Sequence, residues 1–105
     1  MSDNLSGSII NQTHYFKVRV YYEDTDFTGI VYHANYLKFA ERGRTNFLRL
    51  INIKHSALIE SDDPSYFVVY KLKSKFVDTA RIDDILEVRS HFKGINGPRL
   101  KIDQE

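Results

Sequence analysis

Between Tyr22 and Arg44 the sequence reads YEDTDFTGIVYHANYLKFAERGR, a short span that gathers ionisable groups, a glycine and the start of a helical pattern. Asp26 lies among turn formers, beside Phe27 and shortly before Gly29, whose freedom at positive φ permits a turn that other residues make only at a cost. Such a turn aims the carboxylate toward the helix that follows. The first N–H groups of a helix have no intrahelical partners and carry the positive end of its dipole, so they can stabilise a developing oxyanion. A carboxylate beside an oxyanion site suggests acyl-group hydrolysis, with Asp26 as nucleophile or as general base on water. The plainer reading makes Asp26 a turn former or a cap.

Other chemistries find less support. The 105-residue chain has no Cys, which removes disulfides, thiol nucleophiles and cysteine zinc sites together. His14, His33, His55 and His91 are scattered, with no carboxylate-histidine helix motif, and read as surface or packing residues. Ser56 and Ser61 lack a Gly-x-Ser-x-Gly elbow, so serine hydrolysis is not indicated. Glu41 stands three residues before Arg44, the spacing of an intrahelical ion pair. Fifteen Lys plus Arg against fourteen Asp plus Glu leave a net charge of +1. With no basic block in view, nucleic acid is not an expected partner.

The composition, 42% hydrophobic and 28% charged, fits one small globular domain. A chain this short buries roughly two thirds of its unfolded surface, so an oligomer interface is expected to supplement the core. The opening MSDNLSGSIINQTH has neither the basic flank nor the apolar run of a signal peptide, and no later run approaches a membrane span; a cytoplasmic location is expected.

The elements that must position Asp26 follow from periodicity. Residues 1–14 are polar and aperiodic and read as a flexible arm. Phe16, Val18, Val20 and Tyr22 alternate with Lys17, Arg19, Tyr21 and Glu23, the pattern of a half-buried strand. After the Asp24–Gly29 turn, Tyr36, Phe39, Ala40, Gly43, Phe47 and Leu50 fall on one helical stripe, with Asn35 placed to cap its start. A glycine on the buried stripe suggests close approach to a sheet. Ser56–Ser61 suggests a short helical turn, broken at Asp62-Asp63-Pro64. Tyr66–Val77, rich in aromatic and β-branched residues, reads as a long strand, on which Lys71, Lys73 and Lys75 share one face. Beyond the polar connection Ala80–Asp84, Ile85–Lys93 and Arg99–Asp103 alternate around an Asn-Gly hairpin signal. Strand, long helix and three strands make an α+β domain, one antiparallel sheet packed on a single helix.

Three stretches carry a resemblance: Val20-Tyr21-Tyr22-Glu23-Asp24-Thr25-Asp26, Gly29-Ile30-Val31-Tyr32-His33-Ala34-Asn35-Tyr36 and Glu41-Arg42-Gly43-Arg44. Together they resemble the signature of hotdog-fold acyl-CoA thioesterases, in the 4-hydroxybenzoyl-CoA thioesterase family and its YbgC-type branch, associated with the bacterial Tol-Pal system. Ala80–Val88 also resembles that family's middle connection and strand, so the likeness runs from about Tyr15 to Glu105. It implies a hotdog domain over 15–105, its sheet wrapped around one long central helix, acting as a homodimer or homotetramer. Family domains run one strand further than the position matching Arg99–Glu105, so the resemblance implies a sheet truncated at its C-terminal end.

The resemblance also implies roles. Asp26 maps onto the catalytic carboxylate and Asp24 onto a structural one. The thioester carbonyl would be polarised by the backbone N–H of His33, with its imidazole as a secondary candidate. Gly29, Val31, Tyr32, Asn35 and Tyr36 fall in the motif that shapes the pocket, although Asn35 and Tyr36 read equally well as cap and core. Ser65, Tyr66, Phe67 and Val68 of a neighbouring subunit would line the acyl and pantetheine channel. A related hotdog branch uses a helical carboxylate, which would map onto Glu41. Coenzyme A would be carrier and leaving group, with no metal and no separate cofactor, and acyl carrier protein is a further candidate partner. Lys71, Lys73 and Lys75 form either a solvated face or an attractor for such acidic groups. The rival from another class is a non-catalytic acyl-CoA or carrier-protein binding module at the cell envelope, which loss of the acid at position 26 would have favoured. A hotdog dehydratase would want a different arrangement of His and acid.

Overall fold

In the computed structural model, residues 4–51, 60, 68–69, 71–96 and 99–105 are described. Two strands form the centre of one antiparallel sheet, β2 (Thr13–Arg19) and β3 (Ile85–Asn96), with β1 (Ser8–Ile10) outside the first and β4 (Arg99–Gln104) outside the second. Opposite each other across the centre stand Phe16 and Val88, then Val18 and Leu86. These side chains make an apolar face on which α1 (Ala34–Leu50) packs. Val18, Val20, Val31, Phe39, Ala80 and Val88 form the buried core, with Phe16, Tyr36 and Leu86 against it. The α+β arrangement is the expected one.

Gly43 sets how close the helix comes. A Cβ built there would lie 2.7 Å from Val88 Cγ1 and 3.3 Å from Gln104 Nε2, so the expected close approach is real. The stripe ends differently from expectation: Leu48 is buried beside Phe47 while Leu50 is exposed. Asn35 is no cap. The helix begins at Ala34 with His33 in the N-cap position, and the Asn35 side chain bonds elsewhere. Nor do Glu41 and Arg44 pair. Glu41 Oε1 accepts from Thr45 Oγ1 at 3.0 Å, whereas Arg44 is drawn toward the sheet, where its Nη1 donates to Gln104 Oε1 at 2.8 Å.

Part of the N-terminal segment belongs to the sheet. Asn11 and Gln12 adopt positive φ and turn β1 back onto β2, with Ile9 opposite His14. His14, fully buried, stacks on Phe16 and Phe47, and its Nε2 lies 2.7 Å from the carbonyl oxygen of Ser6. The strand expected to run through Tyr22 instead leaves the ladder after Arg19, and Tyr22–Asp24 form a 3-10 turn. A local bond wins there, because Tyr21 N–H donates to Asp24 Oδ2 at 2.8 Å.

The hairpin of β3 and β4 is as expected, with Asn96 opposite Arg99 and an irregularity between Phe92 and Gly94. The Tyr66–Val77 expectation fares otherwise. Its described part, 68–69 and 71–77, makes no ladder with any described strand. Lys71, Lys73 and Lys75 are exposed, and Leu72 and Phe76 are 55% and 50% exposed. Apolar content favours a strand, but a ladder needs an edge within reach, and a groove separates this segment from β4. The expected Ser56–Ser61 turn lies outside the described residues apart from Glu60. Among the described residues no helix is long and apolar enough to cross a membrane.

Candidate active site

The loop from Asp24 to Val31 carries the candidate carboxylate and is closed at its base by main-chain bonds. Thr25 and Val31 bridge across it, and Asp26 N–H donates to the Ile30 carbonyl at 2.9 Å. Gly29, at φ 83°, makes the turn that the sequence suggests, and its N–H returns to the Asp26 carbonyl at 3.1 Å. Below the loop sits Asp24, buried. Its carbonyl accepts from Tyr32 N–H at 3.1 Å and from Asn35 Nδ2 at 2.7 Å, so the first turn of α1 is fastened to the neck of the loop. This is the structural role expected of Asp24, and Asn35 is its partner.

Asp26 itself is exposed. Its Oδ1 accepts from both the Thr28 hydroxyl, at 2.5 Å, and the Thr28 N–H, at 2.8 Å. Oδ2 has no protein partner among the described residues. The Thr28 hydroxyl first, then the Thr28 and Ile30 main-chain donors, hold the Asp26 carboxyl below the ordinary aspartate value of 3.8. At neutral pH the group is an anion with one oxygen free to act.

At the start of α1 the geometry supplies donors. Asn35 N–H donates to the Tyr32 carbonyl and Tyr36 N–H to the His33 carbonyl. The N–H groups of His33 and Ala34 reach no acceptor among the described residues. They form the positive end of a helix seventeen residues long, suited to an oxyanion. The His33 ring lies against Tyr32, centroids 4.6 Å apart, and against Phe76 at 5.8 Å. Tyr36 meets Phe76 at 6.0 Å, and its hydroxyl accepts from Ala80 N–H at 2.9 Å.

Of the residues singled out in the sequence, Asp26, Gly29, Tyr32, His33, Asn35 and Tyr36 therefore belong to one loop and the helix end it joins. Val31 is buried in the core, where its N–H donates to the Ala80 carbonyl at 2.9 Å. Val68 is 79% exposed, while Ser65, Tyr66 and Phe67 lie outside the described residues. Phe76 is the aromatic that sequence reasoning missed. Its period-two spacing from Leu72 was visible, but its edge-on contact with His33 and tilted contact with Tyr36 depend on a return of the chain across the helix end. Glu41 is exposed in mid-helix and bonded to Thr45. No group of three or more potential metal ligands occurs among the described residues.

The family model described as the thioesterase superfamily matches residues 28–105. The chain belongs to the thioesterase superfamily. As a superfamily member it is 43% identical, over 89 residues, to the acyl-CoA thioesterase YbgC of Haemophilus influenzae, a match covering 85% of this chain and 65% of that protein. It is 42% identical over 87 residues to the acyl-CoA thioester hydrolase YbgC of Escherichia coli O6:H1, covering 83% and 63%. The chain thus spans just under two thirds of the length of these relatives. A probable thioesterase from Bartonella henselae superposes with a TM-score of 0.82 at 38% identity, covering 88% of this chain and 76% of that one. The chain has the α+β hotdog architecture that its motifs imply.

Proposed function

We propose that this thioesterase-superfamily chain hydrolyses an acyl-CoA thioester to a free carboxylic acid and coenzyme A. One observation carries the reading: an ionised Asp26, whose Oδ2 has no partner among the described residues, sits on the loop that feeds directly into a helix start where the N–H groups of His33 and Ala34 also meet no acceptor among the described residues. On this reading the carbonyl oxygen of the thioester rests on those N–H groups. Asp26 either attacks the carbonyl carbon or takes a proton from a water that attacks it. In both routes the carbonyl π electrons move onto oxygen, where the helix end stabilises them, and return as the C–S bond breaks. The sulfur leaves with its electron pair and is protonated. If Asp26 is the nucleophile, a second attack by water releases the acid from the acyl-enzyme anhydride. The reading calls for no cofactor beyond the coenzyme A of the substrate. The acyl chain would meet the aromatic surface of Tyr32, Tyr36 and Phe76. The rival binding module gains no support from a carboxylate held as an anion with an oxygen free.

Thiol release from a panel of short, long and aromatic acyl-CoA esters tests the proposal, and release from none of them would overturn it. The same assay followed against pH examines the state of Asp26. Because its carboxyl titrates below the ordinary range, kcat/KM should hold level as pH falls to that range and decline only beneath it. Thr28→Ala removes the largest of the stabilising bonds and should move that acid limb to higher pH, leaving the alkaline side unchanged.

A further inference from the structure

The turn that follows Thr79 touches both halves of the candidate site. Ala80 is buried and bonds in two directions. Its N–H donates to Tyr36 Oη on α1 at 2.9 Å, and its carbonyl accepts from Val31 N–H at 2.9 Å. Next to it Arg81 bridges Ile30, and Ile82 N–H donates to the Gly29 carbonyl at 3.1 Å. Residues 29–31, the returning limb of the Asp26 loop, are therefore bonded along their length to residues 80–82. The same short segment holds the helix whose first N–H groups belong to His33 and Ala34. The relative placement of carboxylate and helix end passes through this contact.

Asp84 closes the turn. Its Oδ2 accepts from Arg81 N–H at 2.9 Å, and its own N–H returns to the Arg81 carbonyl at 3.1 Å. Between them Asp83 has φ 71°, a left-handed conformation that a residue other than glycine keeps only when its surroundings hold it there. Val20 supplies that hold: its carbonyl accepts from Asp83 N–H at 2.9 Å, and its N–H donates to the Asp84 carbonyl at 2.8 Å. Val20 is fully buried, so the turn is anchored on the core. The Asp84 carboxylate acts on one particular peptide group. In a trans peptide the C=O and N–H point in opposite directions. The unit joining Ala80 to Arg81 thus offers its N–H to Asp84 and its C=O to Val31, and Asp84 fixes the direction of the carbonyl that holds the Asp26 loop.

We infer that Asp84 is a positioning residue for thioester hydrolysis, holding the loop that carries Asp26 through the peptide between Ala80 and Arg81. The inference rests on the reading of Asp26 as the working carboxylate. Asp84 touches no substrate in this role. It serves as an acceptor, and its charge matters in strengthening that one bond.

With thiol release from the acyl-CoA ester that the wild type turns over fastest, Asp84→Ala should lower kcat by about tenfold or more with KM little changed, because the carboxylate is displaced while substrate contacts remain. Asp84→Asn keeps an acceptor oxygen and loses the charge, so it should recover most of the rate. In an Asp26→Asn background Asp84→Ala should cost less than about twofold, since no working carboxylate is left to position. Independently of turnover, amide hydrogen exchange at Val31 and Ile82 should quicken by about tenfold in Asp84→Ala and slow again in Asp84→Asn. Asp84 is exposed, and circular dichroism confirms that the variants are folded. Wild-type kcat in Asp84→Ala, a loss that Asp84→Asn fails to relieve, or equal losses in the two backgrounds would each overturn this inference alone. Full turnover by Asp26→Asn would instead overturn the catalytic reading, and the inference with it.

Discussion

Asp26→Asn is expected to lower thioester hydrolysis by about 10²–10⁴-fold while leaving the fold intact. The substitution keeps the shape of the side chain, and its amide oxygen can still accept the Thr28 N–H and hydroxyl that hold the loop. What disappears is the negative charge and the basic oxygen. Because Asp26 is exposed and makes no core contact, the melting temperature should change little, which separates a chemical role from a structural one. His33→Ala provides the contrast. It removes the imidazole and its packing on Phe76 but keeps the main-chain N–H, so it should cost less than Asp26→Asn. Steady-state thiol release on both variants decides the matter. Near wild-type turnover by folded Asp26→Asn protein would remove Asp26 from the chemistry, and an equal loss in His33→Ala would bring the ring into it.

The largest expected loss of stability is at Gly43. Gly43→Ala gains about 1 kcal/mol of helix propensity, yet its Cβ would stand 2.7 Å from Val88 Cγ1. Val88 is buried and β-branched, so it has little freedom to withdraw. The added carbon also crowds Gln104 Nε2, which donates to the Ala40 carbonyl at 2.8 Å and lies 2.9 Å from Ser90 Oγ. Gly43→Leu adds further volume at the same point and should lift α1 from β3, losing ~1–3 kcal/mol or more to overpacking. Urea titrations of the wild type and the two variants should give falling midpoints in the order Gly, Ala, Leu. A Gly43→Leu midpoint equal to wild type would show that the helix can move off the sheet freely.

Legibility in the sequence varied with the reach of the interactions. Helix α1 and the β3–β4 pairing were readable because each carries its own period. β1 was not readable, since all three of its residues are exposed and only the left-handed turn at Asn11 and Gln12 brings it back. The end of β2 was misplaced by a side chain: alternation predicted a strand through Tyr22, but the Asp24 carboxylate captures Tyr21 N–H. At the site, Asp26 and Gly29 stood out by residue type and spacing. The true partner of Asn35, the Asp24 carbonyl eleven positions earlier, could not be inferred from helical periodicity. Likewise Phe76 reaches the helix end only because the chain returns there.

The neck at Asp24 has an entropic consequence. An exposed carboxylate on a loop would ordinarily sample many positions, and fixing it on substrate arrival would cost roughly 1–2 kcal/mol for each residue ordered. Here bonds within the chain already hold the loop, through the Thr25–Val31 bridge, the Asp26–Ile30 bond and the double acceptance at the Asp24 carbonyl, so less of that cost falls on binding. The tip is left outside that closure: Phe27 is 97% exposed. Residue 27 can therefore vary in size or polarity, altering what the loop presents to an approaching molecule, without loosening the frame that fixes Asp26. Fixed base and variable tip are separable parts of a single short loop.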